Sequence, residues 1–222
     1  MGIKISVGIF LLLALTSCFE VMEDITFKKD GSGVFKLIIN LSQSKMELNS
    51  LMKIDSSSGY KIPNEKQLNT YLDQALKTLK TTEGLSAVSI NRDFKNWIFE
   101  IKADFKTTQN LELGLKNINN DFSPGNPLTF RNKLIFDGKT LERQMENLDD
   151  DTRKQLNKPT EKRILTNAKY ITIYRFENTI EKSSNNRAKI SPSKKAIMLQ
   201  SNILNIINGK ETIKNTIKLN EP

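Results

Sequence analysis

The chain is expected to fold as an α+β protein, with antiparallel β-hairpins forming one or two sheets and two or three amphipathic helices packed on one face. Three observations predict this. Short runs of alternating apolar and polar residues are separated by Gly- and Asn-containing turns. Two stretches, near residues 64–79 and 109–122, carry apolar side chains at helical spacing. Hydrophobic residues make up 37% of the 222, enough for a core that needs no disulfide.

Along the chain, Ile25 and Phe27 alternate with polar neighbours, Lys29-Asp30-Gly31-Ser32-Gly33 supplies turn chemistry, and Phe35, Leu37, Ile39 and Leu41 alternate again. This reads as a β-hairpin. Ser44 with Glu47 matches a capping box and places Met46, Leu48, Leu51 and Met52 on the core side of a short helix. Asp55 to Gly59 reads as a loop. Pro63-Asn64 opens a stronger helix, with Asn64 as N-cap, Gln67 at N3, and Leu68, Tyr71, Leu72, Ala75, Leu76 and Leu79 on one stripe. Gly84 ends it. Two strands follow, Ala87 to Asp93 and a run in which Trp97, Phe99, Ile101, Ala103 and Phe105 share a face opposite Glu100, Lys102 and Asp104. A helix near Gln109 to Phe122 carries Leu111, Leu115, Ile118 and Phe122 on one side, completing two β-β-α passes.

Ser123-Pro124-Gly125-Asn126-Pro127 marks a boundary. It divides residues 18–122, rich in ββα units, from a mostly β continuation over 123–222 that is compatible with the same domain. There Phe130 to Phe136 and Thr140 to Arg143 flank Asp137-Gly138, a type I′ hairpin signal. One polar helix is expected over Glu146 to Asn157. Strands are expected at Tyr170 to Phe176 and Ala196 to Gln200, with a polar loop over Lys182 to Arg187 between them.

Composition excludes several chemistries. The chain has no His and one Cys, which removes His-assisted nucleophiles, HExxH zinc sites, CxxC redox pairs and intrachain disulfides. The net charge of +9 is C-terminal: from residue 151 onward there are 15 Lys and Arg against 6 Asp and Glu. Lys182, Arg187, Lys189, Lys194 and Lys195 are candidates for contact with anionic lipid or polysaccharide, weighed against an ordinary solvated surface. Asp149-Asp150-Asp151 with Glu146 lacks the alternate spacing and Gly of a calcium loop. Glu100 and Asp104 are compatible with paired-carboxylate chemistry but typical of a half-exposed strand. Ser32 lacks a nucleophile context. The aromatics Trp97, Phe99 and Phe105 read as core. No catalytic residue, metal or cofactor is assigned.

The N-terminus is more specific. Lys4 precedes an apolar stretch, Ile5 to Leu15, that is shorter than the roughly twenty residues of a membrane span. It ends in Leu15-Thr16-Ser17-Cys18, which resembles the lipobox of bacterial prolipoproteins and includes the sole Cys. The resemblance implies a signal peptide over residues 1–17, thioether acylation of Cys18, cleavage before it and attachment to the membrane through acyl chains. It further implies an extracytoplasmic protein of the cell envelope that does not meet nucleic acid. Phe19 is not the Asp of inner-membrane retention, so the outer membrane is preferred, facing either the periplasm or the surface. Glu20, Glu23 and Asp24, interrupted by Val21 and Met22, resemble the surface-export tract of Bacteroidota lipoproteins. The strand closing on Lys29 to Gly33 and the Tyr170-x-x-x-Tyr174-x-Phe176 pattern resemble uncharacterised envelope lipoproteins, including those with an LppM-type domain.

Three functions are therefore weighed: a non-enzymatic envelope protein that binds or scaffolds another component, a module with an apolar pocket for lipid or glycolipid, and a hydrolase working through carboxylates. An apolar cavity of about 300 Å³ or more would favour the second. Two carboxylates about 5–10 Å apart in a cleft would favour the third.

Overall fold

A computed structural model of the protein describes residues 19–51, 63–122, 132–146 and 148–221. Residues 1–17, Cys18, the 55–59 loop and the 123–127 boundary lie outside these residues. The elements are β1 (Glu20–Phe27), β2 (Gly33–Asn40), α1 (Lys45–Leu51), α2 (Glu65–Thr81), β3 (Leu85–Asp93), β4 (Ile98–Phe105), α3 (Thr108–Phe122), β5 (Asn132–Phe136) and β6 (Thr140–Met145). They continue as α4 (Asp150–Leu156), α5 (Pro159–Leu165), β7 (Lys169–Phe176), β8 (Ile180–Ser183), β9 (Lys189–Ile190), β10 (Ala196–Asn202), α6 (Ile203–Ile207) and β11 (Asn215–Leu219). The fold is α+β, with a seven-stranded sheet ordered β3-β4-β2-β1-β7-β10-β9 and a four-stranded sheet ordered β5-β6-β11-β8.

Strand pairing explains the core. Ile25 of β1 lies opposite Phe35, which lies opposite Ala103; on its other side Ile25 faces Tyr174, and Tyr174 faces Ile197. Paired residues point to one side of a sheet, so this row is a continuous apolar band. It is covered by Leu134, Leu141, Ile217 and Leu219 of the second sheet and by Leu111 of α3. The covering layer is thus a sheet as well as a helix. Phe27 stacks on Phe176 at 5.5 Å and touches Phe136 of the second sheet at 4.8 Å. Gly33 sits opposite Phe27, where a Cβ would come within 2.1 Å of the Thr26 carbonyl oxygen. Only glycine fits that approach.

α2 begins as its sequence requires. The Asn64 side chain accepts the Gln67 amide at 2.9 Å, and the Gln67 side chain accepts the Asn64 amide at 2.9 Å. Ala75 and Leu79 are buried, whereas Tyr71 of the same stripe is exposed, so only the later turns are fully seated. Asn64→Ala is expected to cost about 1 kcal/mol. The urea midpoint would fall with the slope unchanged; a midpoint equal to that of the wild type would contradict the cap.

Several expectations need correction. β1 and β7 pair in parallel from Glu20↔Lys169 to Phe27↔Phe176, although hairpins alone were expected at the sheet's centre. A parallel neighbour needs a long crossover, here most of the chain, and leaves no local signal. The helix expected over Glu146 to Asn157 starts only at Asp150, because Asp149 caps it by accepting the Thr152 amide at 2.8 Å. Pro159 then opens a separate helix, α5, with the preset φ that suits a first turn. A third helix, α6, follows Asn202, whose side chain accepts the Asn205 amide. The described part of the region after residue 123 thus carries two more helices than expected. β8 occupies part of the expected 182–187 loop, and β11 was not anticipated. At the 137–138 turn only Gly138 has positive φ, +88°, whereas a I′ turn needs it at both central residues.

α4, α5 and α6 gather at the end of the large sheet where β1 starts. Leu156, Leu165, Ile203, Ile206 and Ile207 form a second core there with Tyr170 and Leu199, and Phe19 and Val21 pack against it.

Candidate functional site

Three features of the described residues combine charge with shape. The first is buried between the two sheets. Glu23 of β1 lies in phase with Ile25 and Phe27 and therefore points into the core, only 5% exposed. Arg143 of β6, 4% exposed, lies in phase with Leu141 and Met145 and meets it from the other sheet. The guanidinium donates to both carboxylate oxygens, Nη1 to Oε1 at 2.9 Å and Nη2 to Oε2 at 3.0 Å. Tyr170 donates to Oε2 at 2.8 Å and Tyr174 to Oε1 at 3.1 Å. Burial works against the Arg143 charge, but the Glu23 carboxylate together with Tyr174 and Tyr170 more than offsets it and holds the guanidinium above its ordinary pKa. Burial, reinforced by the Glu23 charge, pushes both phenols well above theirs. Each carboxylate oxygen already has two donors, and the group is enclosed. The arrangement clamps one sheet to the other and presents nothing to a substrate.

The second feature is an open cleft of about 480 Å³, lined by Asn167, Lys169, Arg187, Gln200, Asn202 and Glu211 among others. It lies at the end of the sheet where β1 starts, since Lys169 is opposite both Glu20 and Asn202. Arg187 reaches Glu211 at 2.8 Å and the Gln200 carbonyl at 3.0 Å. Lys169 reaches Glu20 at 3.0 Å. Burial disfavours charge on Glu211, yet hydrogen bonds from Asn205, Arg187 and the Asn202 amide more than offset it and hold the carboxyl below its ordinary pKa. Every lining residue is polar or charged, and both signs of charge are already engaged.

The third is a shallow groove of about 220 Å³ on the outer face of the large sheet, lined by Asp24, Thr26, Lys36, Lys102 and Arg175. Arg175 is fixed on Asp24 at 3.0 Å, while Lys36 and Lys102 are direct cross-strand neighbours. Like charges so placed repel.

No family model matches the chain, and no curated protein matches it. It is similar to a solved structure, the NMR structure of the folded domain of the Mycobacterium tuberculosis LppM protein. The identity is 13% and the TM-score 0.44, over 92% of this chain and 91% of that one.

The residues named from sequence are dispersed. Cys18 lies outside the described residues. Arg187 is in the cleft, and Lys189 is opposite Met198, midway along β10. Lys194 and Lys195 sit in the β9–β10 turn, their carbonyls accepting the Ile180 and Phe176 amides at the far end of the large sheet. Lys182 belongs to the second sheet, 3.8 Å from Glu181. Glu100 and Asp104 flank Lys102 on the outer face of β4. Ser32 donates to Asp30 within the first turn. Among the described residues no three Cys, Asp or Glu side chains are grouped to hold a metal. Sequence reading missed Glu23, Arg143, Lys169 and Glu211. For the first two a signal existed: each is a charged residue in phase with apolar neighbours at strand spacing.

Proposed function

We propose that this chain is a lipid-anchored protein of the bacterial cell envelope, held by acyl groups on Cys18, whose folded part works by binding rather than catalysis. One observation carries the reading. The residue that follows Cys18 is already part of the large sheet's end: the Phe19 carbonyl accepts the Lys169 amide at 2.9 Å, and β1 starts at Glu20. Cleavage before Cys18 would therefore leave every described strand intact. No described helix is long and apolar enough to cross a membrane. In this reading attachment comes from two or three acyl chains, each buried methylene contributing about 0.8 kcal/mol.

The cleft supports binding over the other two candidates. Its lining residues are all polar or charged and none is an aliphatic or aromatic side chain of the kind that holds lipid tails. Its carboxylate, Glu211, is held by Arg187, and the neighbouring Glu20 is held by Lys169, so neither is placed as a free acid or base. The partners that suit such a surface are an envelope protein, a lipid headgroup or a polysaccharide. In a Gram-negative cell, Phe19 in place of Asp would favour the outer membrane.

Expression with alkyne palmitate tests the anchor. Wild type is expected to take up label and pellet with membranes, and Cys18→Ser to lose both properties. Equal labelling of the two would overturn the reading.

A further inference from the structure

We infer that the end of the large sheet where β1 starts is a membrane-contact surface, lying against the phospholipid headgroups of the bilayer that holds Cys18. The inference rests on acylation of Cys18 and adds an orientation to it. Cys18 is bonded directly to Phe19, which is hydrogen-bonded to Lys169 and packed on the second core. Two residues span at most about 7 Å, so there is no tether to let the domain swing away.

Strand register identifies what shares that end. Asn40 is opposite Glu20, Ile98 is opposite Asn40, and Asp93 is opposite Ile98, which brings the β3–β4 turn of Phe94, Lys95 and Trp97 to the anchor. On the other side, Lys169 and Asn202 bring the cleft with Arg187, and α5, which leads into β7, carries Lys162 with Lys158 at its N-cap. Half-buried Phe94 covers the buried Trp97, packing edge-on against it at 6.1 Å, and stands beside the exposed Lys95, so Phe94 and Lys95 are the side chains this turn presents. Aromatic and basic side chains are the residue types that settle at a membrane–water boundary.

The same geometry turns the C-terminal lysines away. Lys195 is joined to Phe176, and Phe176 is opposite Phe27, the last residue of the eight in β1. Eight strand residues rise about 26 Å. The Debye length is about 8 Å at physiological salt, so Lys194 and Lys195 are screened from the anchoring bilayer. They face the compartment beyond it, and the cations at the anchored end are Lys95, Lys162 and the cleft's Lys169 and Arg187, the last two sharing that end with their carboxylate partners Glu20 and Glu211.

Trp97 is the sole tryptophan and serves as a built-in probe. The acylated full chain would be reconstituted into vesicles of phosphatidylethanolamine and phosphatidylglycerol containing a headgroup spin-labelled phospholipid. Trp97 emission is expected to be quenched severalfold more than in the Cys18→Ser chain mixed with the same vesicles. A fluorophore on Lys95→Cys should be quenched, and one on Lys195→Cys should not. Equal quenching at both ends, or quenching at Lys195→Cys alone, in a chain whose mass shows acylation would overturn the orientation and leave the anchor standing. A chain without acyl mass would overturn both.

Discussion

Methionine in place of Arg143 is expected to destabilise the fold by about 3–5 kcal/mol, the usual cost of leaving one member of a buried ion pair without its partner. Such a loss is a large part of the roughly 5–15 kcal/mol that holds a domain together. The cost arises at Glu23, not at the guanidinium. Without Arg143 the carboxylate keeps only the hydroxyls of Tyr170 and Tyr174, and at 5% exposure no water can replace the lost countercharge. The double variant Glu23→Gln with Arg143→Met keeps an acceptor for the phenols and removes the stranded charge. It should recover part of the loss, which gives a coupling energy in a double-mutant cycle. Urea unfolding of the four proteins measures it. A single variant within about 1 kcal/mol of wild type, or additive effects, would contradict a clamp that depends on paired charges.

Most local structure was legible because it depends on neighbours in sequence. The Asn64 and Gln67 cap, the face shared by Trp97, Phe99, Ala103 and Phe105, and the 31–33 turn all stand where the residues place them. The unread part is non-local. β1 accepts β7 as a parallel neighbour because their inward residues, Ile25 with Tyr174 and Phe27 with Phe176, complete one band, and no segment contains both halves. Ile203–Ile207 is dominated by Ile, which favours strands, yet the Asn202 cap and the second core wind it into α6. The basic residues named from the sequence stand apart for a related reason. Closeness in sequence between Arg187 and Lys195 is undone by β10, which carries one to each end of the sheet. Tertiary pairing converted a run of like charges into two separate surfaces.

The buried phenols set an alkaline limit on stability. Tyr170 and Tyr174 have pKa values raised in the fold above the ordinary 10.0, chiefly because burial disfavours the phenolate. A raised folded-state pKa contributes stability that is complete below the unfolded value and is lost as pH climbs toward the folded one. Above pH 10 the unfolded chain releases both protons while the native chain keeps them, so unfolding is favoured by about 1.4 kcal/mol per pH unit for each phenol. Together the pair should lower stability by about 2.7 kcal/mol per unit. Denaturant unfolding at intervals from pH 9 to 12 would show a plateau and then this decline. Tyrosinate absorbance of the buried pair should appear only with loss of the native circular dichroism. Tyr170→Phe leaves one phenol on Glu23 and should halve the slope attributable to the pair. A slope unchanged in that variant, or tyrosinate from the pair formed in the still-folded protein, would mean that the two rings are open to solvent and that the sheets are not closed over Glu23.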